Sequence, residues 1–242
     1  MQGVSINFFI RTKQKASNSL AEVWHADLFG LREDKYNYLS SNSISTVSYQ
    51  KVQYTAPMYF FVPKDFRLAT EYDNGFGLNE LFLVNNVGIV TANDGLNTSF
   101  SKEEQKEKIR ELLSIPEQEW RDKYNRQDTR DWTYSGAKSD AEDNVKDEKC
   151  FARIAYRPFD IRYTLFTGLS RGLYSYPRTD VMKHLFHGNN LAIVAKKGFP
   201  KTDAAPVFVT NFVSDFRYWS CSGMQGGDYV FPLWVFDKDD IS

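Results

Sequence analysis

At 242 residues, with 42% hydrophobic and 25% charged residues, the chain has the composition of a soluble globular protein able to bury a sizeable core. Lys and Arg number 30 against 31 Asp and Glu, a formal charge of −1, so no whole-chain field draws the protein onto nucleic acid or membrane, and affinity for a polyanion has to come from a local patch. Two cysteines without CxxC spacing and three histidines spell neither a disulfide framework nor a zinc site, and no apolar run approaches the roughly 18 residues of a membrane span.

No charged-then-apolar leader opens the sequence, and a cytoplasmic location is the default expectation. Aromatic residues are abundant, with 19 Phe and 14 Tyr, which suits either a large core or a contact surface.

In chain order, "GVSINFFIR" reads as a buried strand, with Ile6, Phe8 and Ile10 on one face. A chain that opens in such a strand is expected to be cut from something longer. "LAEVWHADLFG" reads as a second strand, forming a hairpin with the first across "KQKASNS". "LREDKYNYLSSNS" reads as a short helix with Leu31, Tyr36 and Leu39 inward, and "APMYFFVPKDF" as an edge strand between Pro57 and Pro63.

From Ser101 the period becomes helical. Ser101 and Glu104 have capping-box spacing ahead of Ile109, Leu112 and Leu113, and Ser114 with Glu117 repeats the pattern ahead of a second helix. "SGAKSDAEDNVKDEKC" is polar and charged, and reads as a loop or hinge. Strands follow in "FARIAYRPF", "RYTLFT", "NLAIVAKKG", "APVFVTNFV" and "DYVFPLWVF", interrupted by one helix starting near Thr179 and stopping at Gly188. The expected class is α+β: a mixed, sheet-rich module with a central pair of short helices.

Charge is unevenly spread. Residues 151–221 hold ten Lys and Arg against four acids, an excess of six positive charges in a chain whose total is −1. Within them "YRPFDIRYTLFTGLSRGLYSYPR" interleaves four arginines with four tyrosines, which is what a surface for DNA or RNA needs, since guanidinium forks fit guanine edges and phosphates. The plain alternative is that these arginines pair with nearby acids, Asp160 taking Arg157 or Arg162. No Walker loop, GxGxxG after a strand, HExxH or GxSxG occurs. His184 and His187, three apart on the last helix, lack a third metal ligand and fit partial exposure near a helix end.

Several segments in order, "GVSINFFIR", "YFFVPKDF", "GFGLNELF", "VGIVTANDGL", "YRPFDIRYTLFTGLSRG", "PRTDVMKHLF", "NLAIVAKKG" and "DYVFPLWVF", resemble the carboxy-terminal specificity region of single-polypeptide type ISP restriction-modification enzymes. The resemblance spans essentially the whole chain. It implies a target-recognition domain over residues 31–242, subdivided near 133–150, with residues 1–30 linking from or completing an adenine-N6 methyltransferase domain.

It further implies sequence-specific recognition of double-stranded DNA beside methyltransferase, helicase-like and nuclease parts of the same polypeptide or a companion chain. No Asn-Pro-Pro-aromatic motif is present here, so no catalytic or metal-binding residue is expected, and S-adenosylmethionine, ATP and Mg belong to those other domains. The expected basic surface comprises Arg157, Arg162, Arg171, Arg178, Lys183, Lys196 and Lys197, with Tyr174, Tyr176 and Gln225 as further groove contacts. A stand-alone nuclease with scattered acids, or a protein- or carbohydrate-binding module using the aromatic excess, remain the alternatives.

Overall fold

The computed structural model describes residues 4–11, 19–186, 189–197, 207–219 and 226–236. It divides into two compact units, Met1–Gly75 and Phe76–Ser242. That boundary coincides neither with a division after residue 30 nor with one near 133–150.

In the first unit, β1 (Trp24–His25) pairs antiparallel with β2 (Gln50–Lys51), separated by α1 (Arg32–Ser41) and followed by α2 (Ala69–Asp73). The expected opening strand is absent: residues 4–11 carry no regular structure, and Val4, Ile6, Phe8, Phe9 and Ile10 are exposed. β1 therefore takes its partner from downstream and not from the amino terminus. Helix α1 forms where expected, but Leu31, Tyr36 and Leu39 are exposed and the helix buries no residue. The span expected as an edge strand, between Pro57 and Pro63, consists of turns.

The second unit begins with α3 (Leu78–Leu81), β3 (Asn86–Val87) and α4 (Asp94–Asn97). Next come α5 (Lys102–Ser114), α6 (Glu117–Tyr124) and α7 (Tyr134–Asn144). The start of α5 follows from its sequence, since Ser101 Oγ accepts the Glu104 N–H at 3.1 Å. The second box does not form: Ser114 ends α5, and Pro116 precedes α6 without a side-chain cap.

Helix α7 occupies the stretch expected to be a hinge. Thr133 caps it by accepting the Gly136 N–H at 3.1 Å. Tyr134, Ala137 and Ala141 bury a stripe at helical spacing, and Asp140 is buried beside them. After Tyr134 the stripe consists of two alanines and one carboxylate, so its polar composition hid the inward face.

The strands form two sheets. β4 (Phe151–Arg157) and β5 (Asp160–Leu165) make an antiparallel hairpin, running from Phe151↔Leu165 to Arg157↔Asp160. After α8 (Thr179–Met182) come β6 (Ala192–Lys196), β7 (Val207–Thr210), β8 (Val213–Ser214) and β9 (Asp228–Pro232). β8 joins the hairpin parallel to β4, giving the order β5-β4-β8, while the other sheet runs β3-β9-β6-β7, antiparallel throughout.

Part of the aromatic content is structural. Trp120 is fully buried, stacked on Tyr124 at 4.7 Å and on Trp132 at 6.1 Å, with Tyr134 tilted against it at 5.3 Å. Ile109, Leu112, Ile154, Leu165 and Val213 complete this core. Among the described residues no helix is long and apolar enough to cross a membrane, and no cluster of His, Cys, Asp and Glu could hold a metal ion. Cys150 is half-buried, and burial pushes its thiol up to about 11, so it is not a reactive thiolate.

Candidate nucleic-acid interface

Residues 89–94, "IVTAND", organise the arginine-rich part of the second unit. The Ile89 N–H donates to Ser214 O at 2.8 Å, and the Phe216 N–H to Ile89 O at 2.8 Å. Gly88 sits so close to the Asp215 backbone that a Cβ would lie 2.3 Å from its carbonyl oxygen, which restricts this position to glycine. On the other side the Val90 N–H donates to Tyr176 O at 2.9 Å, and Val90 O accepts from Ser175 at 3.1 Å. Asn97 ties the segment to the loop before Tyr176, donating to Thr91 O at 2.9 Å and to Leu173 O at 2.6 Å.

The β4–β5 hairpin brings two arginines to this segment. Tyr156 donates its hydroxyl to Asp94 at 2.7 Å, and its ring carries Arg157 at 3.8 Å and Arg162 at 4.1 Å from the centroid. Arg162 also lies 4.6 Å from the Phe100 ring centroid. Each guanidinium holds an acid: Arg157 reaches Asp215 at 2.8 Å, and Arg162 reaches Asp160 at 2.9 Å. Asp160 thus takes Arg162 and leaves Arg157 to a partner 58 residues away. Burial outweighs the Arg157 charge and the Arg217 N–H at Asp215, whose carboxyl is pushed up to about 6.

The loop 166–178 supplies one exposed cation, Arg171, and one half-buried cation, Arg178, whose Nε is enclosed without a hydrogen-bond partner among the described residues. The Arg171 side chain is 67% exposed and lies 3.9 Å from Asp131, while Arg178 sits 5.0 Å from the Tyr176 ring centroid. Arg130 comes to the same place from the turn after α6, its side chain 84% exposed and 2.8 Å from Asp131. The Arg130 guanidinium holds the Asp131 carboxyl below its ordinary range, assisted by Tyr176 and Arg171. Arg126 caps the set from below, its guanidinium donating to Ala92 O and lying 5.5 Å from the Trp132 ring centroid.

Helix α7 fixes the loop's shape. The buried Asp140 carboxylate accepts the Leu173 N–H at 2.8 Å and the Thr167 hydroxyl at 2.9 Å, and burial raises its pKa despite these bonds. At Gly172 a Cβ would fall 2.2 Å from Asp140 Oδ2, so this close approach requires glycine. The ledge is also where the backbone is strained. Among the described residues six non-glycines have left-handed φ, and five of them, Ala92, Asn125, Phe159, Arg171 and Arg178, lie in or directly beside these elements. Such positions cost about 1–3 kcal/mol each and persist only where the surroundings over-determine them.

The expected site residues therefore fall into groups. Arg157, Arg162, Arg171, Arg178 and Tyr176 gather around residues 89–94, and Arg126 and Arg130 join them. Arg126 and Arg130 lie before the basic stretch, in a segment where Asp128 and Asp131 balance their charge, and the alternation "NRQDTRDW" is the one signal the sequence carries for them.

Two expected contacts are corrected by burial. Tyr174 is completely enclosed, its hydroxyl bonded to Thr164 and its ring 5.9 Å from Phe166, so it is a core residue. Lys196 is also interior, its Nζ donating to Gly226 O at 3.0 Å and lying 3.9 Å from Asp228, because it falls on the buried face of β6, an inner strand of its sheet.

Lys197 is exposed at the end of β6, and Lys183 lines a shallow cleft with Leu83, Asp180, His184 and Phe236. Neither makes an ion pair among the described residues. His184 is buried, contrary to partial exposure: its Nδ1 accepts the Phe236 N–H at 3.1 Å. Gln225, His187, Gly188 and Cys221 lie outside the described residues.

Residues 80–242 match the family model of the Type ISP C-terminal specificity domain. Among solved structures, the chain is similar to one in a cryo-EM structure of a DrdV–DNA complex, with a TM-score of 0.56 and 15% identity over 90% of this chain and 23% of that one. It is similar too to a nuclease-deletion mutant of the Type ISP restriction-modification enzyme LlaGI in complex with a DNA substrate mimic, with a TM-score of 0.54 and 17% identity over 90% of this chain and 22% of that one. At these identities the likeness is one of fold, and the chain spans less than a quarter of either relative. A search of curated proteins found no match.

Proposed function

Because the chain belongs to the Type ISP C-terminal specificity domain family, we propose that it recognises a sequence in double-stranded DNA through the ledge around residues 89–94, as the specificity module of a restriction-modification enzyme. The observation that carries this reading is the gathering of six arginines from three separate stretches of chain around one backbone segment, Arg126 touching it directly and the others through Tyr156, Asp215, Asp131 and Tyr176.

Roles follow from how tightly each cation is held. Arg130 and Arg171 are the phosphate clamps and base-edge forks, because exposed guanidinium groups can turn to a ligand, and the half-buried Arg178 adds its guanidinium beside the Tyr176 ring. Arg157 and Arg162, stacked on Tyr156 and paired with acids, frame the ledge and present only their outer N–H groups. Tyr176 contacts the groove between Arg130 and Arg178, with Gln225 as a further groove contact, and Lys183 and Lys197 add phosphate contacts. Methylation of adenine N6 and cleavage of unmodified DNA are carried out by other domains of the longer enzyme. Those domains use S-adenosylmethionine, ATP and Mg, and this chain serves them in the cytoplasm by choosing the site.

Gel-shift titration of randomised duplex DNA at several salt concentrations tests the reading. Retention that enriches one sequence is the expected result, with affinity falling as salt rises. Metal-dependent cleavage by the chain would favour a nuclease, and indifference to DNA at low salt would favour a protein- or carbohydrate-binding module.

A further inference from the structure

Phe159 forms the tip of the β4–β5 hairpin, in "YRPFD". Its side chain is 98% exposed, more than any other large hydrophobic residue described, and its backbone is left-handed at φ 64°. A glycine or asparagine would satisfy that conformation more easily, and a polar residue would be better solvated. Neither folding requirement explains a phenyl ring there.

The tip is held rigidly. Pro158 precedes Phe159, and the ladder closes at Arg157↔Asp160 directly across the turn. Arg157, on the strand before the turn, is bound to Asp215 at 2.8 Å, and on the strand after it Arg162, paired within the strand to Asp160 at 2.9 Å, lies over the Tyr156 and Phe100 rings. An unshielded apolar ring therefore stands on a fixed support with two guanidinium groups at its base.

That combination suits insertion into a stack of bases. A ring pushed between base pairs gains the contacts that water denies it, and the neighbouring cations take the phosphates on either side of the opened step. We propose that Phe159 is a wedge that enters the DNA stack at one base step while the surrounding arginines hold the backbone. The proposal rests on the DNA-recognition reading and adds to it a local distortion, which makes easily unstacked steps part of the preferred sequence.

The test uses the full chain and a duplex enriched by it from a randomised pool, with 2-aminopurine placed at successive positions. Fluorescence is expected to rise several-fold at one step when wild-type protein binds, since unstacking relieves quenching. Phe159→Ala should abolish that rise and weaken binding about tenfold, with an unchanged dependence on salt. Phe159→Trp should restore both.

Binding without brightening at any position, or a Phe159→Ala variant that brightens the probe as the wild type does, would overturn the wedge and leave the recognition reading standing. Unchanged DNA binding by Phe159→Ala would place the ring against another protein domain and would also overturn it. If no duplex is enriched at all, the recognition reading fails first and the wedge with it. Phe159→Gly, which relieves the backbone, checks that a lost signal does not reflect a misfolded turn.

Discussion

The two units spend their hydrophobic residues in opposite ways. Among the described residues of Met1–Gly75 only Val52 is a buried hydrophobic, whereas Phe76–Ser242 packs Trp120, Trp132, Tyr134, Ile154 and Leu173 into a continuous core. Phe9, Phe29, Leu31, Phe61 and Tyr72 of the first unit all stand exposed. Apolar content alone therefore does not make a core. What distinguishes the second unit is that its apolar positions recur with the period of its helices and strands, so that one face of each element closes on another.

The contrast extends to charge. Carboxylates with lowered pKa in the first unit, Glu22 and Asp65, are exposed acids held mainly by hydrogen bonds from Lys51 and Arg67. The second unit additionally buries Asp140 and Asp215, which burial shifts upward. Only the second unit can turn enclosed carboxylates into fixed loop geometry.

The largest expected effect that would sharpen this comparison is at the core. Trp120→Ala should cost about 3–5 kcal/mol in urea denaturation followed by circular dichroism, and Val52→Ala roughly 1–2 kcal/mol. Equal losses would remove the distinction between the units.

Next comes pH. Asp215 has a folded pKa raised to about 6, above its ordinary value near 4, so its contribution to stability is fully present below the lower value and is lost as pH rises through the upper one. Between pH 7 and pH 4 the wild type should gain on the order of 2–3 kcal/mol relative to Asp215→Asn. Parallel pH profiles for the two proteins would contradict the buried-carboxylate account.

Asp140→Ala should cost about 1–3 kcal/mol by leaving the Leu173 N–H and Thr167 hydroxyl without their acceptor. Amide exchange at Leu173 should accelerate, and protection in the first unit should stay as it was. The smallest effect belongs to an exposed pair of the first unit: Arg67→Ala, which breaks its contact with Asp65, should change stability by less than about 0.5 kcal/mol.

The same contrast explains what could be read from the residues. Helix α5 was legible because Ser101 caps it and Ile109 and Leu112 repeat at helical spacing, and β4 through β6 were legible from their β-favouring runs. Helix α7 was not, because after Tyr134 its inward face is made of two alanines and Asp140, and polarity suggests solvent. "GVSINFFIR" misled in the opposite direction, since its alternation signals a strand that finds no partner among the described residues.

At the ledge, the run of arginines was visible but their acids were not. Arg157 meets Asp215 and Arg130 meets Tyr176's neighbourhood only through the fold, across 58 residues in the first case. Tyr174 and Lys196 looked like surface groups because chain position carries no record of which face of a loop or strand turns inward.

The most direct test of the recognition ledge is the salt dependence of duplex binding by wild type and by the triple variant Arg130→Ala, Arg171→Ala and Arg178→Ala. With the ledge on the phosphates, the slope of log affinity against log salt should shrink by about 2–3, since each lost phosphate contact removes roughly one released counterion. A triple variant with the affinity and slope of the wild type would contradict the assignment of that surface to DNA.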